Sequence, residues 1–213
     1  MQKPSIEFAP EGARPVFTLT TAVIVSALLG WTFLTVILLV GLLLMVNFFR
    51  DPSRIIPHGA GLAVAPADGK IVRIEREIDP ISNEERTVIC TFMNVFNVHV
   101  NRSPVDGSVA DIRYHPGKFF NASLDKASKH NERNTIVVRD EDDQDWTVVQ
   151  IAGLLARRIV CHAQVGDIVS RGGRFGMIKL GSRVDVYLPH GYHEAVTLGQ
   201  HVVAGQTVLA KKV

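Results

Sequence analysis

From Phe17 to Phe49 no side chain is ionisable, and Leu, Val and Ile dominate the stretch around Trp31. A run of this character reads as helix. As one straight helix it would reach roughly 50 Å at about 1.5 Å per residue, against a hydrocarbon core of roughly 30 Å. The pattern predicts either one strongly tilted helix or two shorter helices hinged near Gly30-Trp31, a hairpin dipped into one leaflet. Arg50 and Arg54 follow at once and place that end on the cytoplasmic side of a cell membrane. The leader, residues 1–16, carries Glu7 and Glu11 beside Lys3 and Arg14, and no small-residue cleavage site follows the apolar run; both features argue against a removed signal peptide.

Past Asp51-Pro52, Pro57 and Gly59 to Gly61 the pattern changes to short β-prone runs separated by Gly, Pro, Asn and Asp. Strands are predicted over Lys70–Ile74, Thr87–Phe92, Val95–Val100, Thr135–Arg139, Trp146–Ile151, Ile159–His162, Arg183–Leu188 and Thr207–Leu209. Arg139 to Asp145 reads as a solvated acidic turn, and Asp125 to Glu132 as a short helix or an ordered loop. Ala65-Pro66-Ala67-Asp68-Gly69-Lys70-Ile71-Val72 resembles Ser103-Pro104-Val105-Asp106-Gly107-Ser108-Val109, each a tight Pro-x-Asp-Gly turn feeding a strand. A second echo links Val165-Gly166-Asp167-Ile168-Val169 to the stretch from Val202 to Leu209. The expected architecture is mainly β: a barrel-sandwich-like β domain, residues 50–213, preceded by an N-terminal hydrophobic helical membrane segment, residues 17–49. The lysine at a hairpin tip that biotinyl and lipoyl carriers need is not presented.

Composition narrows this little further. The chain has 213 residues and a net charge of +2, too mild to indicate a nucleic-acid partner. Cys90 and Cys161 both lie within apolar runs and read as small buried hydrophobes in a domain facing a reducing compartment.

The candidate chemistry sits in Gly176 to Pro189, around Leu180-Gly181-Ser182. The segment lacks the Gly-x-Ser-x-Gly frame of a hydrolase nucleophile elbow. A glycine before a scissile bond adds no bulk and tolerates unusual backbone angles, and the next hydroxyl can attack the preceding carbonyl if a base and oxyanion donors are supplied. His99 is the candidate base and Asp68 its orienting carboxylate, because imidazole titrates near neutrality and a carboxylate would fix its tautomer. His190 and His193 have the wrong spacing for a zinc motif, and no metal is expected.

Five ordered blocks carry a resemblance: Pro66-Ala67-Asp68-Gly69, Phe92 to Pro104, His115-Pro116-Gly117-Lys118, Asn131-Glu132-Arg133-Asn134 and Leu180-Gly181-Ser182. Together the chain resembles phosphatidylserine decarboxylases of the short, archaeal-type subclass. The resemblance implies self-cleavage between Gly181 and Ser182 into a large chain (1–181) and a small chain (182–213) that stay associated. It further implies conversion of Ser182 to a pyruvoyl group that forms a Schiff base with the substrate amine, and decarboxylation of phosphatidylserine in the membrane to phosphatidylethanolamine. His115, Lys118, Arg102 and Arg133 are candidates for binding the substrate's anionic groups. A homo-oligomer is compatible with this reading. Longer family members carry two histidines three residues apart where this chain has His99 and Arg102, and a threonine where it has Arg183. Two other classes compete: a membrane-tethered barrel-sandwich binding module with an intact Gly181–Ser182 bond, and a membrane-anchored metallopeptidase.

Overall fold

A computed structural model describes residues 6–120, 122, 130–154, 158–179 and 181–213. Leu180 of the cleavage box and most of the expected 125–132 element lie outside the described residues. The chain divides into two compact units, Met1–Ser53 and Arg54–Val213.

In the first unit β1 (Ile6–Phe8) pairs with β2 (Arg50–Pro52), and between them run α1 (Ala13–Leu28) and α2 (Thr32–Phe48). The break falls at Gly30, whose φ of 73° is left-handed and open to glycine at no steric cost. The side chains of Thr35 and Ser26 join across it at 2.9 Å. The helices have 16 and 17 residues, which at about 1.5 Å per residue leaves each short of a hydrocarbon core of roughly 30 Å. No helix among the described residues is long and apolar enough to cross a membrane. This corrects the expected N-terminal hydrophobic membrane segment: the apolar run is real, but its break yields short helices and no span.

The second unit is mainly β. Its strands are β3 (Leu62–Val64), β4 (Gly69–Ile78), β5 (Glu85–Met93), β6 (Val100–Arg102), β7 (Gly107–His115), β8 (Arg133–Arg139) and β9 (Asp145–Ala152). They continue with β10 (Ile159–Cys161), β11 (Ile168–Val169), β12 (Arg174–Ile178), β13 (Ser182–Tyr187), β14 (Tyr192–Glu194), β15 (His201–Val202) and β16 (Val208–Lys212). An antiparallel eight-stranded sheet runs β11-β7-β8-β9-β13-β5-β4-β15, with three-stranded sheets β10-β12-β6 and β14-β16-β3 beside it. The large sheet curls around one core that includes Ile71, Ile89, Ile136, Trp146, Val148, Val184, Val186 and Leu209. A curled sheet with two small flanking sheets thus replaces the expected barrel-sandwich.

The internal repeat has a structural basis. Both Pro-x-Asp-Gly turns feed a strand with a bulge at the same offset, between Ile71 and Arg73 in β4 and between Val109 and Asp111 in β7. Such bulges sharpen the twist and let a sheet curl. The two glycines are equally confined: a Cβ on Gly69 would lie 2.2 Å from Phe92 O, and one on Gly107 2.2 Å from Arg139 O. The second echo falls at a different register from the one read in the sequence. Gly166 and Asp167 exchange backbone hydrogen bonds with Val109 as Gly199 and Gln200 do with Ile71, so the partner of 165–169 is 198–202.

The strand expected over Val95–Val100 is a turn followed by β6. Asn97 Oδ1 accepts from Asn94 N at 2.8 Å and Asn94 Oδ1 accepts from Phe96 N at 2.9 Å. These local side-chain bonds outcompete a ladder.

Candidate active site

Strand alternation decides which way the reactive serine faces. β13 lies between β5 and β9, with Ser182 opposite Met93 on one side and Ala152 on the other. Val184 and Val186 pack into the main core, and Ser182 shares their face and is fully buried. Arg183, Asp185 and Tyr187 point to the other face, where Tyr187 packs with Val88, Cys90, Val149 and Ile151. There Arg183 holds Asp185 through Nε to Oδ1 at 2.7 Å and Nη2 to Oδ2 at 2.8 Å, and its Nη1 donates to Ala122 O at 3.1 Å. Burial and, next, the Asp185 carboxylate push the Cys90 thiol far above its ordinary value, so this cysteine stays protonated.

The Ser182 hydroxyl meets a weak partner, Met93 Sδ at 4.0 Å. A buried hydroxyl on a thioether is poorly satisfied, so moving it to an electrophile breaks no strong bond. Met93 is itself held by a buried polar chain. Asn134 Nδ2 donates to Gln150 Oε1 at 3.0 Å, Gln150 Nε2 to Asn101 Oδ1 at 2.8 Å, and Asn101 Nδ2 to Met93 Sδ at 3.8 Å.

Gly181 has a φ of 65°. A side chain there would cost on the order of 1–2 kcal/mol in backbone strain. The Gly181 N–H donates to His99 Nε2 at 3.4 Å, while His99 Nδ1 lies 2.9 Å from Asn97 O. A carbonyl only accepts, so Nδ1 carries the proton and the Nε2 lone pair faces the Gly181 segment. His99 is fully buried. The arrangement brings together a hydroxyl, the carbonyl before it and an unprotonated ring nitrogen, the elements of an intramolecular acyl transfer.

The expected orienting carboxylate is placed elsewhere. Asp68 Oδ2 pairs with Arg54 at 2.7 Å and Oδ1 accepts from Ala204 N at 2.8 Å. Its repeat counterpart Asp106 likewise accepts from Arg171 N at 2.9 Å. Both aspartates pin a turn to a distant loop, and the backbone of Asn97 orients His99 in the place expected for Asp68. Arg102 is buried with its guanidinium on Gly172 O at 3.0 Å, a strut inside the fold. Lys118 is exposed. His115 is half-buried at the end of β7, its Nδ1 buried and unpartnered. Arg133 lines, with Glu77, Asp185 and Tyr187, a cavity of about 250 Å³. His190 and His193 are exposed, and no group of three or more His, Cys, Asp or Glu among the described residues is placed to hold a metal.

Sequence reasoning missed Met93, Gly153 and the Asn134–Gln150–Asn101 chain. Met93 and Asn101 stand inside the Phe92–Pro104 block, a usable signal; Gly153 carried none, because its place depends on register.

The family described as phosphatidylserine decarboxylase matches residues 42–210. The chain is 58% identical over 212 residues to the phosphatidylserine decarboxylase proenzyme of Solidesulfovibrio magneticus, covering 100% of this chain and 99% of the relative. It is 54% identical over 212 residues to the protein of the same name from Nitratidesulfovibrio vulgaris, covering 100% and 98%. The like-named protein of Nitrosomonas eutropha is 53% identical over 190 residues, covering 89% and 88%. The chain belongs to the phosphatidylserine decarboxylase family.

Proposed function

We propose that the chain is the precursor of a pyruvoyl-dependent phosphatidylserine decarboxylase that breaks its own Gly181–Ser182 bond. One observation carries the reading: a fully buried serine opens a strand behind a left-handed glycine, and the unprotonated ring nitrogen of His99 accepts that glycine's N–H. The Ser182 hydroxyl attacks the Gly181 carbonyl carbon, the new C–O bond replaces the C–N bond, and the hydroxyl proton reaches the released amine by way of His99. Loss of the Cα proton of Ser182 with breaking of the Cβ–Oγ bond then leaves the former hydroxyl oxygen in the Gly181 carboxylate and a double bond between Cα and Cβ. The proton returns to Cβ, one water adds at Cα and ammonia leaves, so that Ser182 ends as a ketone.

The residues fit that group. It is built from the Cα, Cβ and carbonyl of Ser182 itself, so the seat of the serine already accommodates it. When present, its ketone supplies the electrophile that takes the substrate amine and accepts the electrons released with carbon dioxide. Met93 and Ala152, both fully buried, flank the seat on either side. The small chain keeps its place between β5 and β9 of the large chain, paired from Ser182 to Tyr187 on both sides. We infer that the substrate is met at the cytoplasmic face of a cell membrane. Lys118, exposed on a loop tied to Ala152 through Asn131, is the candidate for its anionic head group.

Purified enzyme is expected to turn phosphatidylserine in mixed micelles into phosphatidylethanolamine with equimolar carbon dioxide. Phenylhydrazine, which captures ketones, is expected to remove the activity in proportion to the ketone titrated. Full activity with every ketone captured would overturn the cofactor assignment.

A further inference from the structure

Two of the motif blocks, His115–Lys118 and Asn131–Asn134, take no part in the bond changes of self-cleavage given above, yet they meet next to the scissile bond. Lys118 and Asn131 form a parallel bridge. Lys118 N donates to His130 O at 2.8 Å and Glu132 N to Lys118 O at 3.0 Å. The fit leaves no room: a Cβ on Gly117 would stand 2.5 Å from Asn131 C and 2.6 Å from Glu132 N.

The Asn131 side chain is fully buried and uses every polar atom it has. Its Oδ1 accepts from Phe120 N at 2.9 Å, and its Nδ2 donates to Phe120 O at 2.8 Å and to Ala152 O at 2.7 Å. Ala152 N in turn donates to Glu132 O at 2.9 Å. Both polar groups of Ala152 are therefore gripped by the 131–132 segment, and Ala152 is the residue opposite Ser182.

What this grip positions is the next residue. A Cβ on Gly153 would lie 2.0 Å from the carbonyl oxygen of Gly181 and 2.9 Å from its carbon. The carbonyl that must be attacked thus rests against the bare Cα of Gly153, and any side chain there would displace it.

We propose that Asn131 is a positioning residue for self-cleavage: acting through Ala152 and Gly153, it sets the Gly181 carbonyl where the Ser182 hydroxyl reaches its carbon. Small errors in such a geometry are costly, because the attack depends on near-contact distance and alignment. The inference rests on the self-cleavage reading. The bond changes are those given above; Asn131 and Gly153 take no proton and form no bond.

The test follows freshly synthesised chains on denaturing gels for wild type, Asn131→Ala, Asn131→Asp and Gly153→Ala, with and without hydroxylamine, which cuts esters but not amides. The aspartate variant keeps the size and the acceptor of asparagine but loses both donated bonds. Each variant is also made in a Ser182→Ala background, where melting curves give the folded fraction of an uncut chain. The expected result is cleavage slowed tenfold or more in all three variants at temperatures where the uncut chain is folded. Hydroxylamine should give no acceleration, because the ester never forms. The proposal is overturned if folded variants cleave at the wild-type rate, if an ester accumulates that hydroxylamine releases, or if the slowing merely follows the unfolded fraction. A wild-type chain that never cleaves would overturn the parent reading as well, and is distinguished by the wild-type lane.

Discussion

Replacing Ser182 with alanine is expected to leave one uncut chain of 23.4 kDa with no measurable decarboxylation. The effect is total because two functions reside in one side chain. Without Oγ nothing attacks the Gly181 carbonyl, and without cleavage there is no ketone. Ser182→Cys keeps a nucleophile and is expected to cleave slowly. His99→Ala keeps the nucleophile but loses the ring nitrogen that faces the segment at 3.4 Å, and loss of a general base typically slows such a step by about 10²–10⁴-fold. Time courses of chain separation on denaturing gels, run beside a carbon dioxide assay, check all three. Rapid cleavage of the Ser182→Ala chain would show that another residue supplies the nucleophile.

The second large effect is on stability. Asp185→Ala leaves the Arg183 guanidinium, fully inaccessible to solvent, without its carboxylate partner. Removing one member of a buried pair typically costs about 3–5 kcal/mol. For a domain of this size, about 2–4 °C per kcal/mol translates that into a fall in Tm of roughly 6–20 °C. Burial opposes charge on Arg183, and Asp185 more than offsets it, so the guanidinium is held above its ordinary value. Replacing both residues together, Arg183→Met with Asp185→Leu, is expected to recover most of the loss. Thermal melting in the Ser182→Ala background measures this free of differences in processing. A single mutant as stable as its parent would show that the pair contributes nothing to the fold. The pair also explains the arginine found where longer family members carry threonine: it fastens the second residue of the small chain to Ala122 O on the large one.

The strands were legible wherever one face meets the core. Trp146 to Ala152 is a short, largely apolar run rich in β-branched residues and buried on both faces, Trp146, Val148 and Ala152 in one cluster and Val149 and Ile151 in another, and the run itself marks β9. The Pro-x-Asp-Gly turns were legible from turn chemistry, and their repetition proved to be a repetition of bulge, turn and pairing. Asp68 could not be placed because its partner Ala204 N is 136 residues away, a distance no local pattern encodes. Asn97 falls in a run that reads as strand, because its role depends on a side-chain bond to Asn94 that periodicity does not show. The apolar run and a hinge near Gly30-Trp31 were both legible from length and composition, and a left-handed Gly30 does divide the run into two helices, each too short to span. Gly153 became visible only once β9 and β13 were in register.

The most direct test of the account follows the serine oxygen. Chain made with serine labelled with heavy oxygen on its hydroxyl is allowed to mature, and both products are weighed by mass spectrometry. The label is expected in the Gly181 carboxylate of the large chain. The small chain is expected to run to Val213, to be blocked to amine reagents, and to be lighter than the unmodified 182–213 peptide by one ammonia. A small chain that begins with an ordinary serine, label still on its hydroxyl, would mean that water cut the bond, and would contradict the account.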